Sequence, residues 1–216
     1  SLSRLQRDHI DIMLLHLNEL PVEKATPMFE EMERARATGK IRAYGWSTDF
    51  PASVDAMAHM EGFAAVEHAM NVFVDAQLVQ VSVEQNDLVA FIRSPLAMGI
   101  LTGKFDAGST IDSHDVRAKN HSWRDYFRDG KVTPKYLDNL AAIRELLQSG
   151  GRTLSQGALC WLLAKSKRNL PIPGARTVEQ VQENAGALDH GPLPADVMAE
   201  IEILIQRDPE GKARSR

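Results

Sequence analysis

Short apolar runs alternate with longer amphipathic stretches five times along this 216-residue chain, and no other feature limits its fold so strongly. "IDIMLLHL" (10–17), "IRAYGWS" (41–47), "FAAVEHAM" (63–70), "DLVAFIRS" (87–94) and "LPIPG" (170–174) are short enough and apolar enough to be strands. Helical periodicity follows at 22–40, 51–60, 76–85, 135–149, 153–164, 177–187 and 194–205, with Gly39 closing the first of these and Pro51 opening the second. Strands that alternate with helices imply a parallel sheet with right-handed crossovers, and near-continuous apolar strands imply burial on both faces. That leaves a doubly wound sheet or a barrel. The opening "SLSRLQRDHIDIMLLH" reaches a strand within its first ten residues, which reads as the interior of a domain. Residues 1–205 are expected to form one folded body, and 206–216, which lack an apolar face, a flexible tail.

Composition narrows the function classes. A net charge of −4 with no basic stripe argues against nucleic acid as a partner. No apolar run approaches the roughly 20 residues that span a bilayer, and no signal peptide is visible, so a soluble, cytoplasmic protein is expected. One cysteine, Cys160, excludes an internal disulfide framework, and its setting in "GALCWLLA" points to a buried, inert thiol.

Two loops carry anion-binding chemistry. In "PIPGARTVEQVQEN" (171–184), Gly174 frees the backbone to approach a ligand and Arg176 offers a bidentate guanidinium. Thr177 and Gln180 have capping-box spacing, so a helix N-terminus with free N–H groups is expected at Thr177. Gln180 and Asn184 share its face with Arg176. The plainer reading is a capped helix with a surface arginine. In "RSPLAMGILTGKF" (93–105), three residues separate Gly99 from Gly103-Lys104 and Phe105 follows, so the ATP-binding P-loop pattern fails. Two anion-friendly loops after apolar strands still suit a ligand with more than one phosphate. The connection 96–132 is long enough to be a lid or binding loop, and its Trp123, Tyr126 and Phe127 suit a substrate pocket or a satellite hydrophobic cluster equally.

Taken in order, these stretches resemble the aldo-keto reductases. "LSRLQRDHIDIMLLH" is similar to that family's fourth strand with its histidine, "ATGKIRAYGWST" to its fifth, "SPLAMGILTGK" to its seventh-strand loop, and "ALCWLLAKSKRNLPIPGART…Q…EN" to its eighth strand and cofactor clamp. The resemblance implies a (β/α)8 TIM barrel that uses NADPH to reduce aldehydes and ketones. It would place Arg176 on the 2′-phosphate, with Gln180, Glu183 and Asn184 near the adenosine, and Gly174 beside the clamp. Ser94, Leu96, Gly99 and Lys104 would hold the pyrophosphate, Ser47 the nicotinamide carboxamide, and His16 the substrate carbonyl. Glu67 stands where the family has Gln, Arg93 where an aromatic ring stacks on the nicotinamide, and Thr48 where Asn follows the serine.

The family's proton-delivering Asp, Tyr and Lys belong to its first three strand–helix units, and Tyr44, Tyr126 and Tyr136 match none of their motifs. The resemblance therefore implies the C-terminal five-eighths of the barrel: an incomplete barrel of about five β/α units. Its two open edges would favour self-association. The alternatives are a noncatalytic NADP-binding or assembly module, and metal-dependent hydrolysis through His114, Asp115 and His121, whose spacing matches no standard zinc site.

Overall fold

A computed structural model describes residues 2–118 and 125–208 of the chain. They divide into two compact units, one of residues 2–68 and 76–91, the other of residues 69–75, 92–118 and 125–208.

In the first unit a short helix α1 (Leu2–Leu5) precedes β1 (Ile10–Leu15), α2 (Val22–Ala37), β2 (Ile41–Ser47), α3 (Pro51–Met57), β3 (Phe63–Ala69, its last residue in the other unit), α4 (Gln77–Gln85) and the start of β4 (Val89–Arg93). The strands lie side by side in chain order. β1 runs parallel to β2 from Ile10 beside Ile41 to Leu15 beside Trp46, and β2 runs parallel to β3 with a register shift at Tyr44–Gly45. Glycine is required there because a Cβ on Gly45 would lie 2.0 Å from the Ala65 carbonyl oxygen. Phe29 of α2 anchors the core, its ring 5.3 to 5.9 Å from those of Trp46, Phe63 and Tyr44. Burying an aromatic side chain of this size is worth about 1.5–3 kcal/mol. Burial of every strand on both faces does not hold for β1: Ile12 and Met13, on opposite faces, are each 38% exposed. β1 ends the strand order, with β2 as its one neighbour among the described residues.

The second unit continues from the last two residues of β4 into a 3-10 segment (Ala97–Thr102), a short 3-10 turn (Val116–Ala118) and a hairpin of β5 (Phe127–Arg128) and β6 (Lys131–Val132). Helices α5 (Pro134–Leu147) and α6 (Leu154–Lys165), strand β7 (Asn169–Pro171) and helices α7 (Val178–Ala185), α8 (Ala187–His190) and α9 (Ala195–Leu204) complete it. β7 neighbours β4 and is shorter than its apolar run, since Pro171 and Pro173 have no N–H for a ladder. Just beyond it, Ile172 N still donates to Ile92 O at 3.1 Å. α6 is the buried spine: Thr153 and Gln156 close its N-terminus reciprocally, and Ala158, Cys160, Trp161 and Leu162 have no exposed surface. Gly157 lets α6 meet the end of α5, where a Cβ would stand 2.0 Å from Leu147 O. At the chain's far end Arg207 donates to Val72 O and lies over the Trp161 ring, and Lys135 pairs with Asp208 at 2.7 Å. Residues 209–216 of the expected tail lie outside the described residues.

Candidate functional site

In the first unit the expected residues gather at the carboxyl ends of β1, β2 and β3. His16 is exposed, one residue beyond β1. The turn after it is stitched to the end of β2. Leu17 O accepts from Trp46 Nε1 at 3.0 Å, Asn18 O from Thr48 Oγ1 at 2.9 Å, and Asn18 Oδ1 from Asp49 N at 2.7 Å. The threonine that departs from the family pattern therefore has a structural role: its hydroxyl ties two strand ends together. Ser47 is buried and its hydroxyl donates to Glu67 Oε1 at 3.2 Å. The two side chains expected at one amide are thus brought together and bonded to each other.

In the second unit the end of β4 turns sharply. Ser94, Ala97 and Met98 all have positive φ (54°, 48° and 55°), costly for residues with a Cβ, and Gly99 follows at 99°. Such a strained run directs attention to function. Asn71, fully buried and absent from the sequence expectations, braces it: its amide nitrogen donates to Ser94 O at 2.9 Å and to Tyr126 Oη at 2.7 Å. Arg93 O accepts from Met70 N at 3.4 Å, and Leu96 O accepts from Gly99 N at 2.8 Å. Lys104 returns over the turn. Its ammonium lies 3.1 Å from where a Cβ on Gly99 would sit, and 4.9 Å from the Phe105 ring centroid.

Two further charges join this turn: Arg117, not singled out in the sequence, and Asp115, expected there only as a metal candidate. Arg117 donates to Asp115 Oδ1 through Nε at 2.8 Å, pairs with Oδ2 through Nη2 at 2.5 Å, and donates to Met98 O through Nη1 at 3.3 Å. The guanidinium holds the Asp115 carboxyl well below its ordinary pKa, assisted by the Arg117 backbone N–H. Burial, and then the charges of Arg117 and Arg176, push the Lys104 pKa down, with Asp115 opposing them. Lys104, Arg117 and Arg176 are therefore electrostatic neighbours with Asp115 among them.

Arg176 is exposed and precedes α7, capped as expected by Thr177, whose hydroxyl accepts from Gln180 N at 3.3 Å. The Gln180 side chain reaches back one residue further than in a standard capping box and accepts from Arg176 N at 2.8 Å. It therefore orients Arg176. Glu183 O accepts from Gln156 Nε2 at 3.2 Å, Asn184 is half-buried, and nothing stands within 4 Å of a Cβ built on Gly174.

Asp125 joins Lys135, with which it pairs at 2.8 Å, to Tyr136. Tyr136 Oη donates to Asp125 at 2.5 Å, and burial, then that bond, push the phenol pKa up. Burial opposes the Lys135 charge, but the bonds to Asp125 and Asp208 outweigh it, so the ammonium pKa is raised. Tyr44 is likewise raised, by burial and by its 2.6 Å hydrogen bond to Glu33. Tyr126 packs on Tyr136 with ring centroids 5.0 Å apart, and the buried Phe127 ring lies 5.4 Å from Phe105, so these two rings pin the long connection. Trp123 lies outside the described residues. Cys160 is buried, donates to Ala187 O at 3.4 Å, and has its pKa raised by burial. Of the residues considered for a metal, His114 pairs with Asp112, Asp115 is engaged by Arg117, and His121 lies outside the described residues. Among the described residues no group of three acidic, histidine or cysteine side chains is placed to hold a metal, and no helix is long and apolar enough to cross a membrane.

Comparison with known proteins bears on the family and the fold. The aldo/keto reductase family pattern matches residues 1–206. The chain is 28% identical over 218 residues to an L-glyceraldehyde 3-phosphate reductase of Escherichia coli O157:H7, covering 94% of this chain and 60% of that protein. It is 27% identical over 197 residues to the NADP(+) aldo-keto reductase yakc of Schizosaccharomyces pombe, covering 87% and 55%. The chain thus spans about three-fifths of the length of these relatives or less. Among solved structures, a glycerol dehydrogenase from Gluconobacter oxydans superposes with a TM-score of 0.79 at 22% identity, over 96% of this chain and 64% of that one. With a family match that runs nearly from end to end and the same fold in a solved relative, the chain belongs to the aldo/keto reductase family.

Proposed function

We propose that this chain is the cofactor-holding part of an NADP(H)-dependent oxidoreductase that reduces an aldehyde or ketone to its alcohol. The observation that carries the reading is the strained Gly99 turn, with the Lys104 ammonium over Gly99 and Arg117 bonded to Met98 O and Asp115, and with Arg176 near enough to act electrostatically on Lys104 and Asp115. These residues fit dinucleotide phosphates. A Cβ on Gly99 would crowd Lys104, and the space around Gly174 is open to a close ligand. Arg176, oriented by Gln180, holds the 2′-phosphate, and Glu183 and Asn184 lie on the adenosine side. Ser94, Leu96, Gly99 and Lys104 hold the pyrophosphate. Ser47 and Glu67 would hold the carboxamide, Glu67 accepting from its N–H groups, and Arg93 would offer its guanidinium plane to the ring. NADPH, when bound, would supply hydride for the carbonyl carbon, and His16 would donate a hydrogen bond that orients the carbonyl oxygen.

The same reading takes the chain as the C-terminal five-eighths of an eight-stranded barrel, with the proton-delivering Asp, Tyr and Lys on strands beyond it. The exposed Ile12 and Met13 of β1 and the shorter span relative to its relatives support this. A noncatalytic NADP-binding or assembly module is the second reading. Tyr44 and Tyr136, whose phenol pKa values are raised by burial, are not ready acids, which suits this reading and the first alike.

Titration of the purified chain with NADPH, followed by nicotinamide fluorescence, tests both. Saturable binding is expected, weakened on the order of tenfold to a hundredfold by Arg176→Ala, as for loss of one charge-assisted contact. Binding without turnover of a test aldehyde is what either reading expects of this chain, whereas turnover would remove the module. A folded chain that binds no NADPH sinks the cofactor assignment. Sizing the same preparation reads the self-association expected of open strand edges.

A further inference from the structure

Asp115 and Arg117 are closed on each other beside the Gly99 turn. Asp115 Oδ1 accepts from the Arg117 backbone N at 2.9 Å and from its Nε at 2.8 Å, and Oδ2 meets Nη2 at 2.5 Å. Nη1 holds Met98 O, so the guanidinium is fixed over the strained turn. Both side chains are 16% exposed. Two parallel N–H groups on the two oxygens of a single anion is also the geometry in which a guanidinium takes a phosphate. The carboxylate is covalently close to its arginine, two residues away, so it occupies that fork at high effective concentration. Burial, Arg117 and Arg176 disfavour the Lys104 ammonium, and the Asp115 charge opposes them.

We propose that Asp115 is a resident anion that fills the phosphate seat of Arg117 while the protein is empty, and that a phosphate group of the bound dinucleotide displaces it. This rests on the nucleotide reading above. It adds that Asp115 tunes affinity, keeping the cation cluster neutralised when empty and weakening the hold on an incoming phosphate. A carboxylate that simply orients Arg117 for the ligand would do the opposite. The two roles therefore differ in the sign of one substitution.

The test titrates NADP+ into the full chain as wild type, Asp115→Asn, Arg117→Ala and the double variant, with far-UV circular dichroism confirming the fold of each. If the seat must be vacated, Asp115→Asn tightens NADP+ by roughly tenfold, because the competent state no longer has to be released from the carboxylate. In the Arg117→Ala background the same substitution should change affinity by no more than about twofold, since the fork itself is gone. Equal or weaker binding by Asp115→Asn, with wild type binding normally, overturns the proposal and leaves the cofactor reading intact. A folded wild type that binds no NADP+ removes the cofactor reading and this inference with it.

Discussion

At Gly99 a single hydrogen in place of a side chain does two jobs. Its φ of 99° lies where a residue with a Cβ is strained, and its missing Cβ leaves room for the Lys104 ammonium 3.1 Å away. Gly99→Ala should therefore cost about 1–2 kcal/mol of stability from backbone strain. It should also weaken NADPH binding by about tenfold, as the flexible Lys104 swings aside to clear the methyl group. Thermal melts and titration of one preparation read both effects, and an unchanged affinity would remove Lys104 from the phosphate site. Gly99, Lys104 and Arg176 could be proposed from the sequence because they sit in short motifs, where composition and spacing suggest chemistry. Asn71 and Arg117 could not, and Asp115 was read only as a metal candidate. Asn71 follows a strand with no helix-cap or turn pattern to mark it. Its function is a contact with Ser94, 23 positions on. Arg117 belongs to the long connection and gains meaning when the chain folds it against Met98.

Among the elements, helix starts were read well because a cap is local. Thr153 and Thr177 each accept a hydrogen bond from the N–H three residues on, at 3.2 and 3.3 Å. Thr153→Ala and Thr177→Ala should each cost about 1 kcal/mol, the usual worth of a cap. Their effects on function should separate: Thr177→Ala loosens the turn that carries Arg176 and weakens NADPH binding, whereas Thr153→Ala leaves it unchanged. Equal affinity in both variants would detach Arg176 from the cap. Strand ends were read less well. The first apolar run extends to Leu17 but β1 stops at Leu15, because the two carbonyls that follow the exposed His16 accept from Trp46 and Thr48 side chains instead of a ladder. The hairpin of β5 and β6 was missed although Asp129-Gly130 is a strong two-residue turn signal, with φ of 51° and 71°. Strands of two residues are too short to show alternation.

Across the whole molecule, each unit buries a tyrosine that reports on it. Tyr44 in the first and Tyr136 in the second have phenol pKa values raised above the ordinary 10.0 by burial and by Glu33 and Asp125. A raised folded pKa favours the protonated form, so the stability it confers is complete below pH 10 and is lost as pH climbs toward the folded value. Denaturant unfolding should accordingly show stability falling above pH 10. Tyr44→Phe and Tyr136→Phe should each flatten that fall at some cost in hydrogen bonding, and an unaltered slope in both would show that the phenols ionise without opening either core. The alternation of apolar runs and amphipathic stretches determined, without any coordinates, that the strands would be parallel, that helices would connect them, and that the glycine-bearing loops would follow strand ends. Those features are local: periodicity, caps and glycines act over a few residues. Only the tertiary structure decided that Ser47 donates to Glu67, that Gln180 serves Arg176, and that Asp115 closes on Arg117, because each depends on how side chains partition a small number of hydrogen bonds once the chain is packed.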